Sequence, residues 1–170
     1  NSVNFGTGLL KNHFAFEGLL SKITSDGYID RATSDLKSFF LSGSYFGAKS
    51  SLRVILFSGK EKTYQAWYGI PTDSLTTNRT YNPAGEYYDV NGNVLYYENQ
   101  TDNYQQDYYQ LHWNYAVSSN INVNAALHYT KGTGYYEEYK PFQFPVDYGL
   151  SNSVISDSGA LANGIDLIRQ

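Results

Sequence analysis

The sequence predicts an all-β chain, an antiparallel up-and-down meander of about six strands with long loops at one end, as in a transmembrane β-barrel. Three observations predict it. The first is strict alternation in residues 109 to 131, where two runs are joined by a turn of small polar residues. Tyr109, Leu111, Trp113, Tyr115 and Val117 point one way, and Gln110, His112 and Asn114 the other. The return run sets Ile121, Val123, Ala125, Leu127 and Tyr129 against Asn122, Asn124 and His128. A period of two means strand. The second is the rhythm of the connections, which run short, about twelve residues, short, about forty-five, short, about forty. Outer-membrane barrels have short turns at one end and long loops at the other. A soluble sandwich has no reason to gather its long loops at one end, although binding modules sometimes do. The third is the aromatic content of 18 Tyr, 9 Phe and 2 Trp in 170 residues. It suits girdles at a membrane interface or a tyrosine-rich binding surface.

The elements follow in order. Residues 3–10 alternate Val3, Phe5, Thr7 and Leu9 against Asn4, Gly6 and Gly8, and Lys11-Asn12 makes a tight turn. The strand at 13–23 sets Phe14, Phe16, Gly18 and Leu20 against Ala15, Glu17 and Ser21, and the loop SDGYIDRATSD follows. At 36–46, Phe39, Leu41 and Tyr45 oppose Ser38, Ser42 and Ser44, with Lys37 and Phe40 breaking the pattern. After the small-residue turn FGAKSS, the strand at 52–60 has Leu52, Val54 and Leu56 opposite Arg53, disturbed by Ile55 and Phe57. The fifth and sixth strands are 108–117 and 121–131. Within the long loop, residues 86–98 form a hairpin of their own. Asn91-Gly92 there predicts a two-residue type I′ turn, with Tyr87 and Tyr88 facing Tyr96 and Leu95. Its tyrosines either stack on a ligand or only pair across the hairpin. Residues 135 to 170, with Pro141, Pro145 and the run SNSVISDSGALANG, predict an irregular, mobile loop.

Composition removes several classes. A net charge of −4 gives no electrostatic case for nucleic acid. Without cysteine, disulfide frameworks and thiolate metal sites are excluded. No stretch approaches the length of a transmembrane helix, and NSVNFGTGLL is not a signal peptide.

No catalytic constellation stands out. His112 and His128 share the polar face of one hairpin and read as lumen histidines, since a metal or haem would need them opposed in register. Asp26, Asp30 and Asp35 share a loop, but their spacing fits no helix-loop-helix calcium site. Glu137 and Glu138 would point to opposite faces of a strand, so they make no glycosidase pair. Asn78-Arg79-Thr80 and Asn99-Gln100-Thr101 match a glycosylation sequon too short to be specific. The expectation is a protein that is not an enzyme and has no cofactor or metal.

The segments SDGYIDR and FSGKEKTYQAW, with GLLKNHFAFEGLL, NRTYNPAGEYYDVNGNVLYYENQ and ALHYTKGTGYYEEYK, resemble the barrel of TonB-dependent outer-membrane receptors of the Bacteroidota, a likeness running from about residue 3 to DLIRQ. Such a resemblance implies a sector of a barrel of about 22 antiparallel strands, plugged by a further domain. It implies import of a scarce nutrient of the ferric siderophore, haem or cobalamin class, driven by energy passed through TonB. The expected location is the Gram-negative outer membrane, and the expected partners are its lipid, the plug, TonB and the nutrient chelate. No plug, TonB-contacting box or aromatic-ended final strand is matched, so the chain resembles a fragment from the earlier part of such a barrel. On this reading the loop residues Tyr28, Arg31, Tyr64, Trp67, Tyr68, Tyr135 and Tyr136 capture ligand by stacking and by attracting an anionic chelate. Gln110, His112, Asn114, Asn122, Asn124 and His128 face the lumen. The rival is a soluble tyrosine-rich β-sandwich binding carbohydrate, its apolar face buried internally.

Overall fold

The computed structural model describes residues 1–149 and 165–169. The described residues are all-β apart from a helical turn, α1 (Ser74–Thr77), and a 3-10 turn at Pro145–Tyr148. The strands are β1 (Ser2–Gly6), β2 (Phe14–Ser25), β3 (Ser34–Phe46), β4 (Ser50–Tyr64), β5 (Glu86–Tyr88), β6 (Val94–Tyr96), β7 (Thr101–Ser118), β8 (Ile121–Tyr136), β9 (Glu138–Gln143) and β10 (Ile165–Arg169). They fall into two compact units. One comprises residues 1–25, 33–62 and 103–134; the other comprises 26–32, 63–102 and the chain from 135 onward.

The first unit is a six-stranded sheet in the order β1-β2-β3-β4-β7-β8. It is an up-and-down meander, and it is open, with β1 and β8 at its edges. The short connections, 7–13, 47–49 and 119–120, alternate with the long ones. At the first of them Lys11 and Asn12 both have positive φ, 48° and 60°, and the His13 N–H donates to the Leu10 carbonyl at 3.0 Å. That is the type I′ geometry whose twist matches the flanking strands.

Register assigns the two faces. Phe14 pairs with Tyr45, Leu20 with Phe39, Gly18 with Leu41, and Val3 and Phe5 with Leu20 and Gly18. On the other side Glu17 pairs with Ser42, and Ser21 with Ser38. Arg53 hydrogen-bonds Ser42 Oγ at 2.8 Å and ion-pairs with Glu17, which puts it on this polar face. Asn114 donates to Ser51 Oγ at 3.1 Å, extending the polar face to β7. Tyr109 and Tyr129 meet at 6.0 Å on the apolar side of β7 and β8.

Several boundaries depart from the sequence reading. β1 stops at Gly6 rather than residue 10, because the ladder shifts by one residue between Gly6↔Glu17 and the Leu10↔Phe14 bridge. Two glycines flank Thr7 there and weaken the strand. β4, β7 and β8 run further at their loop ends than the spans 52–60, 108–117 and 121–131.

In the second unit the Asn91-Gly92 hairpin is present, but its turn is not type I′. Gly92 donates to the Asp89 carbonyl and Asp89 to the Asn93 carbonyl, both at 3.0 Å. Only Gly92 has positive φ, 81°, so this is a type I turn followed by a left-handed bulge residue. The Asp89 carboxylate causes it, accepting from the N–H groups of Asn91 and Asn93 at 2.8 Å each. Register therefore slips by one from the expected pairing: Tyr88 faces Val94, Tyr87 faces Leu95 and Glu86 faces Tyr96.

Residues 135 to 170 were expected to be irregular, yet Glu138–Gln143 is a strand paired antiparallel with Ile165–Arg169. Pro141 is tolerated because the ladder bulges there: Lys140 pairs with Leu167 and Gln143 with Ile165, leaving Pro141 and Phe142 opposite one residue. A bulge is where a residue lacking an N–H fits an edge strand. The run SNSVISDSGALANG lies outside the described residues.

Candidate functional site

The second unit gathers the loop residues around a polar centre. Its most buried large side chains are Gln65 and Asn82, each 2 % exposed, and Gln100 is equally buried. Asn82 works in three directions. Its Nδ2 donates to the Asp30 carbonyl at 3.0 Å and the Gln65 carbonyl at 2.9 Å, and its Oδ1 accepts from the Ala84 N–H at 3.0 Å. One side chain thus ties the β2–β3 loop, the end of β4 and the segment before β5. Gln65 donates to the Glu137 carbonyl at 3.1 Å, and Gln100 Oε1 accepts from the Tyr139 N–H at 2.9 Å. Buried amides with such partners fix geometry more than they add net stability.

Arg31 and Tyr64 complete this centre. The Arg31 guanidinium lies 3.6 Å over the Tyr96 ring and 5.8 Å from that of Tyr64, and it donates to the Asn82 carbonyl. Tyr64 is buried, with its hydroxyl 2.8 Å from the Tyr97 carbonyl and 3.1 Å from that of Ala84. Gly85, at φ 74°, must be glycine here, because a Cβ would sit 2.5 Å from the Tyr64 hydroxyl. Of the residues the sequence offered for ligand capture, Arg31 and Tyr64 are therefore committed to the unit's own packing. Tyr136 is half-buried.

The other four, Tyr28, Trp67, Tyr68 and Tyr135, are exposed. Trp67 and Tyr68 meet at 6.4 Å with rings tilted by 52°. The Tyr68 hydroxyl reaches Glu138 Oε1 at 3.4 Å, and Lys140 pairs with the same oxygen at 2.7 Å. That carboxylate raises the Lys140 pKa by its hydrogen bond and charge, against opposing desolvation. A concavity of about 140 Å³ lies beside them, lined by Tyr68, Gly85, Glu86, Gln100, Glu138 and Tyr139.

Tyrosine-carboxylate pairs recur through the unit. Tyr81 donates to Glu86 Oε2 at 2.6 Å, and its pKa is pushed up to about 12, chiefly by that hydrogen bond. Tyr88 donates to the other Glu86 oxygen at 3.0 Å and is raised for the same reason. The Tyr97 hydroxyl donates to Glu137, with its pKa raised by burial first and by that carboxylate second. Sequence reading missed Asn82, Gln65, Gln100 and Glu86 as organisers. The one available signal was Asn82-Pro83-Ala84-Gly85, a turn-forming run beside a cluster of tyrosines.

On the sheet, Gln110 and His112 share a side, with His112 Nε2 3.2 Å from Gln110 Oε1, and Asn114 holds Ser51. Asn122 and Asn124 border the same hollow as Asn114. His128 alternates with Tyr129, whose ring turns to the apolar side. The polar face is not uniformly polar. Toward the loop end it carries a concavity of about 710 Å³ whose lining includes Leu19, Ile23, Phe40, Phe57, Tyr104 and Tyr108. Phe57 and Tyr108 stack there at 4.1 Å. Phe40 and Phe57 are among the residues that disturbed the alternation of β3 and β4.

Scans against protein-family models and searches of curated proteins and of solved structures gave no match to this chain.

Proposed function

We propose that this chain is a sector of the β-barrel of an outer-membrane receptor of the TonB-dependent type, which binds a scarce nutrient at the cell surface and imports it. The observation that carries this reading is the apolar face of the six-stranded sheet. Val3 is 66 % exposed, Phe5 54 %, Leu20 56 %, Leu127 70 % and Tyr129 62 %. Among the described residues the only other sheets have two strands each, and of the hydrophobic residues only Tyr64 and Ala84 are buried. A soluble sandwich covers such a face with a second sheet. An exposed apolar surface of this extent marks an interaction surface, and lipid is the partner that fits polar-in, apolar-out strands with short turns at one end.

In this role the polar face lines the lumen, and the loop unit presents Tyr28, Trp67, Tyr68 and Tyr135 to a chelate of the ferric siderophore, haem or cobalamin class. The parent receptor supplies the plug, TonB the energy, and the chain does no chemistry on its cargo. The experiment is to reconstitute the protein in vesicles of phosphatidylcholine brominated on its acyl chains and read Trp113 fluorescence in a Trp67→Phe background. Strong quenching supports the reading. A monodisperse protein in buffer whose Trp113 no brominated lipid quenches sinks it and promotes the soluble binding module.

A further inference from the structure

Every lysine borne by the sheet strands within the first unit lies on one face, at one end. Lys22 pairs with Lys37 directly across β2 and β3. The pair continues the row Phe14, Phe16, Gly18, Leu20 on β2 and the row Tyr45, Gly43, Leu41, Phe39 on β3. On β4 the alternation that places Leu52, Val54 and Leu56 on the apolar face carries Lys60 and Lys62 to the same side. On β8, Lys131 follows Tyr129, whose ring meets Tyr109 on the apolar side. Lys22, Lys37, Lys60, Lys62 and Lys131 are all exposed. Of the charged groups on the polar face, Glu17 and Arg53 are paired with each other, and Glu61 alternates with Lys60 and Lys62 onto that face beside Phe57.

The arrangement carries a cost that the sheet alone does not explain. Like charges directly opposite on neighbouring strands are destabilising, and Lys22 faces Lys37 in register. Asp35 offsets part of this, 3.2 Å from Lys37. Asp107 is near Lys131 but already accepts from Ser58 and Gln105. Five lysines against two carboxylates leave a net positive belt, and it begins where the apolar rows end. From Phe14 to Leu20 the apolar row is about 20 Å long, and at a barrel tilt of about 40° it rises about 15 Å, somewhat over half of an apolar band about 25 Å tall.

We infer that this lysine belt is a docking surface for the phosphate-bearing headgroups of anionic lipid in the outer leaflet, with the apolar rows beneath it seated among the acyl chains. The inference rests on the membrane reading above. Phosphates bridging Lys22 and Lys37 would convert a repulsive cross-strand pair into an attractive one, and each lysine close to an anionic surface is worth about fivefold in affinity.

The test compares brominated phosphatidylglycerol with brominated phosphatidylcholine as quenchers of a tryptophan placed beside the belt by Tyr129→Trp, in a Trp67→Phe, Trp113→Phe background, because Tyr129 lies two residues from Lys131 on the same face; this gives the relative affinity of the two lipids. The expected result is quenching by both, with a phosphatidylglycerol preference of about fivefold or more. The preference should fall to near one in a Lys22→Gln, Lys37→Gln, Lys60→Gln, Lys62→Gln variant and shrink with salt. Equal quenching by the two lipids in the unsubstituted protein overturns the lysine belt and leaves the receptor reading standing. Quenching by neither overturns both. Abolition of the preference by inorganic phosphate, but not by chloride at the same ionic strength, would reassign the lysines to a free-anion site and overturn the lipid assignment.

Discussion

Asn82→Ala should unlock the loop unit while leaving the sheet intact. Asn82 is 2 % exposed and makes three side-chain hydrogen bonds of 2.9 to 3.0 Å, to the Asp30 and Gln65 carbonyls and from the Ala84 N–H. A hydrogen bond of this kind contributes about 1 kcal/mol net, so their loss amounts to about 3 kcal/mol before any penalty for the groups left unpaired. Because about 1.4 kcal/mol is a factor of ten, hydrogen exchange in residues 80–86 should quicken by about a hundredfold or more. The Ala84 amide should show it most directly, since Asn82 Oδ1 is its acceptor. Exchange measured by mass spectrometry on the reconstituted protein, with residues 109–117 as internal reference, reads both regions together. Unchanged protection at 80–86 would refute the idea that the unit is organised around Asn82. Equal loss in both regions would refute the separation of loop unit from sheet.

Gly85→Ala should also loosen the unit, since φ 74° and a Cβ 2.5 Å from the Tyr64 hydroxyl penalise any side chain. The left-handed conformation alone costs about 1 to 2 kcal/mol, and faster proteolysis of the 63–102 segment would register it. Lys11→Gly should stabilise the first hairpin by about 1 kcal/mol, because Lys11 holds φ 48° in a type I′ turn; slower exchange at Phe14 would show it, and no change would count against the turn assignment. The Tyr81-Glu86 bond favours the neutral phenol, so its contribution should be constant below the ordinary tyrosine range, near pH 10, and be lost as pH rises toward about 12. Tyrosinate absorbance, compared between the parent and Tyr81→Phe, should find this one phenol titrating late, and Glu86→Gln should return it toward the ordinary range. Trp67→Ala should weaken binding of a nutrient chelate without altering exchange in the sheet, because Trp67 is 60 % exposed.

The sheet was legible because its information is local and periodic. Tyr109 to Tyr115 alternates without a fault, and the faces read from it are the faces that the Asn114-Ser51 bond and the Tyr109-Tyr129 contact define. The departures have identifiable causes. Lys37 looked like a flaw in β3, yet it stands opposite Lys22 at the end of the apolar rows. The Asn91-Gly92 signal located a hairpin, but the Asp89 carboxylate two residues upstream captured Asn91 and Asn93 and shifted the turn. Pro141 argued against a strand, and the bulge that accommodates it is set by pairing with a segment more than twenty residues away. The centre of the loop unit was invisible for another reason. Asn82, Gln65 and Gln100 are amides in irregular backbone, where burial has no period and their partners are backbone carbonyls and N–H groups that sequence does not distinguish. Arg31 drew attention as a cation for an anionic chelate, and only its place over the Tyr96 ring and its bond to the Asn82 carbonyl reveal what holds it.

The most direct test is a nitroxide scan of residues 109 to 117 in the reconstituted protein, recording the accessibility of each label to oxygen, which concentrates in lipid, and to a water-soluble nickel chelate. A lipid-facing sheet predicts a period of two, with oxygen favoured at Tyr109, Leu111, Trp113, Tyr115 and Val117 and the chelate favoured at Gln110, His112 and Asn114. Low accessibility to both reagents at Leu111, Trp113 and Tyr115 would mean that protein covers this face, and it would contradict the membrane reading.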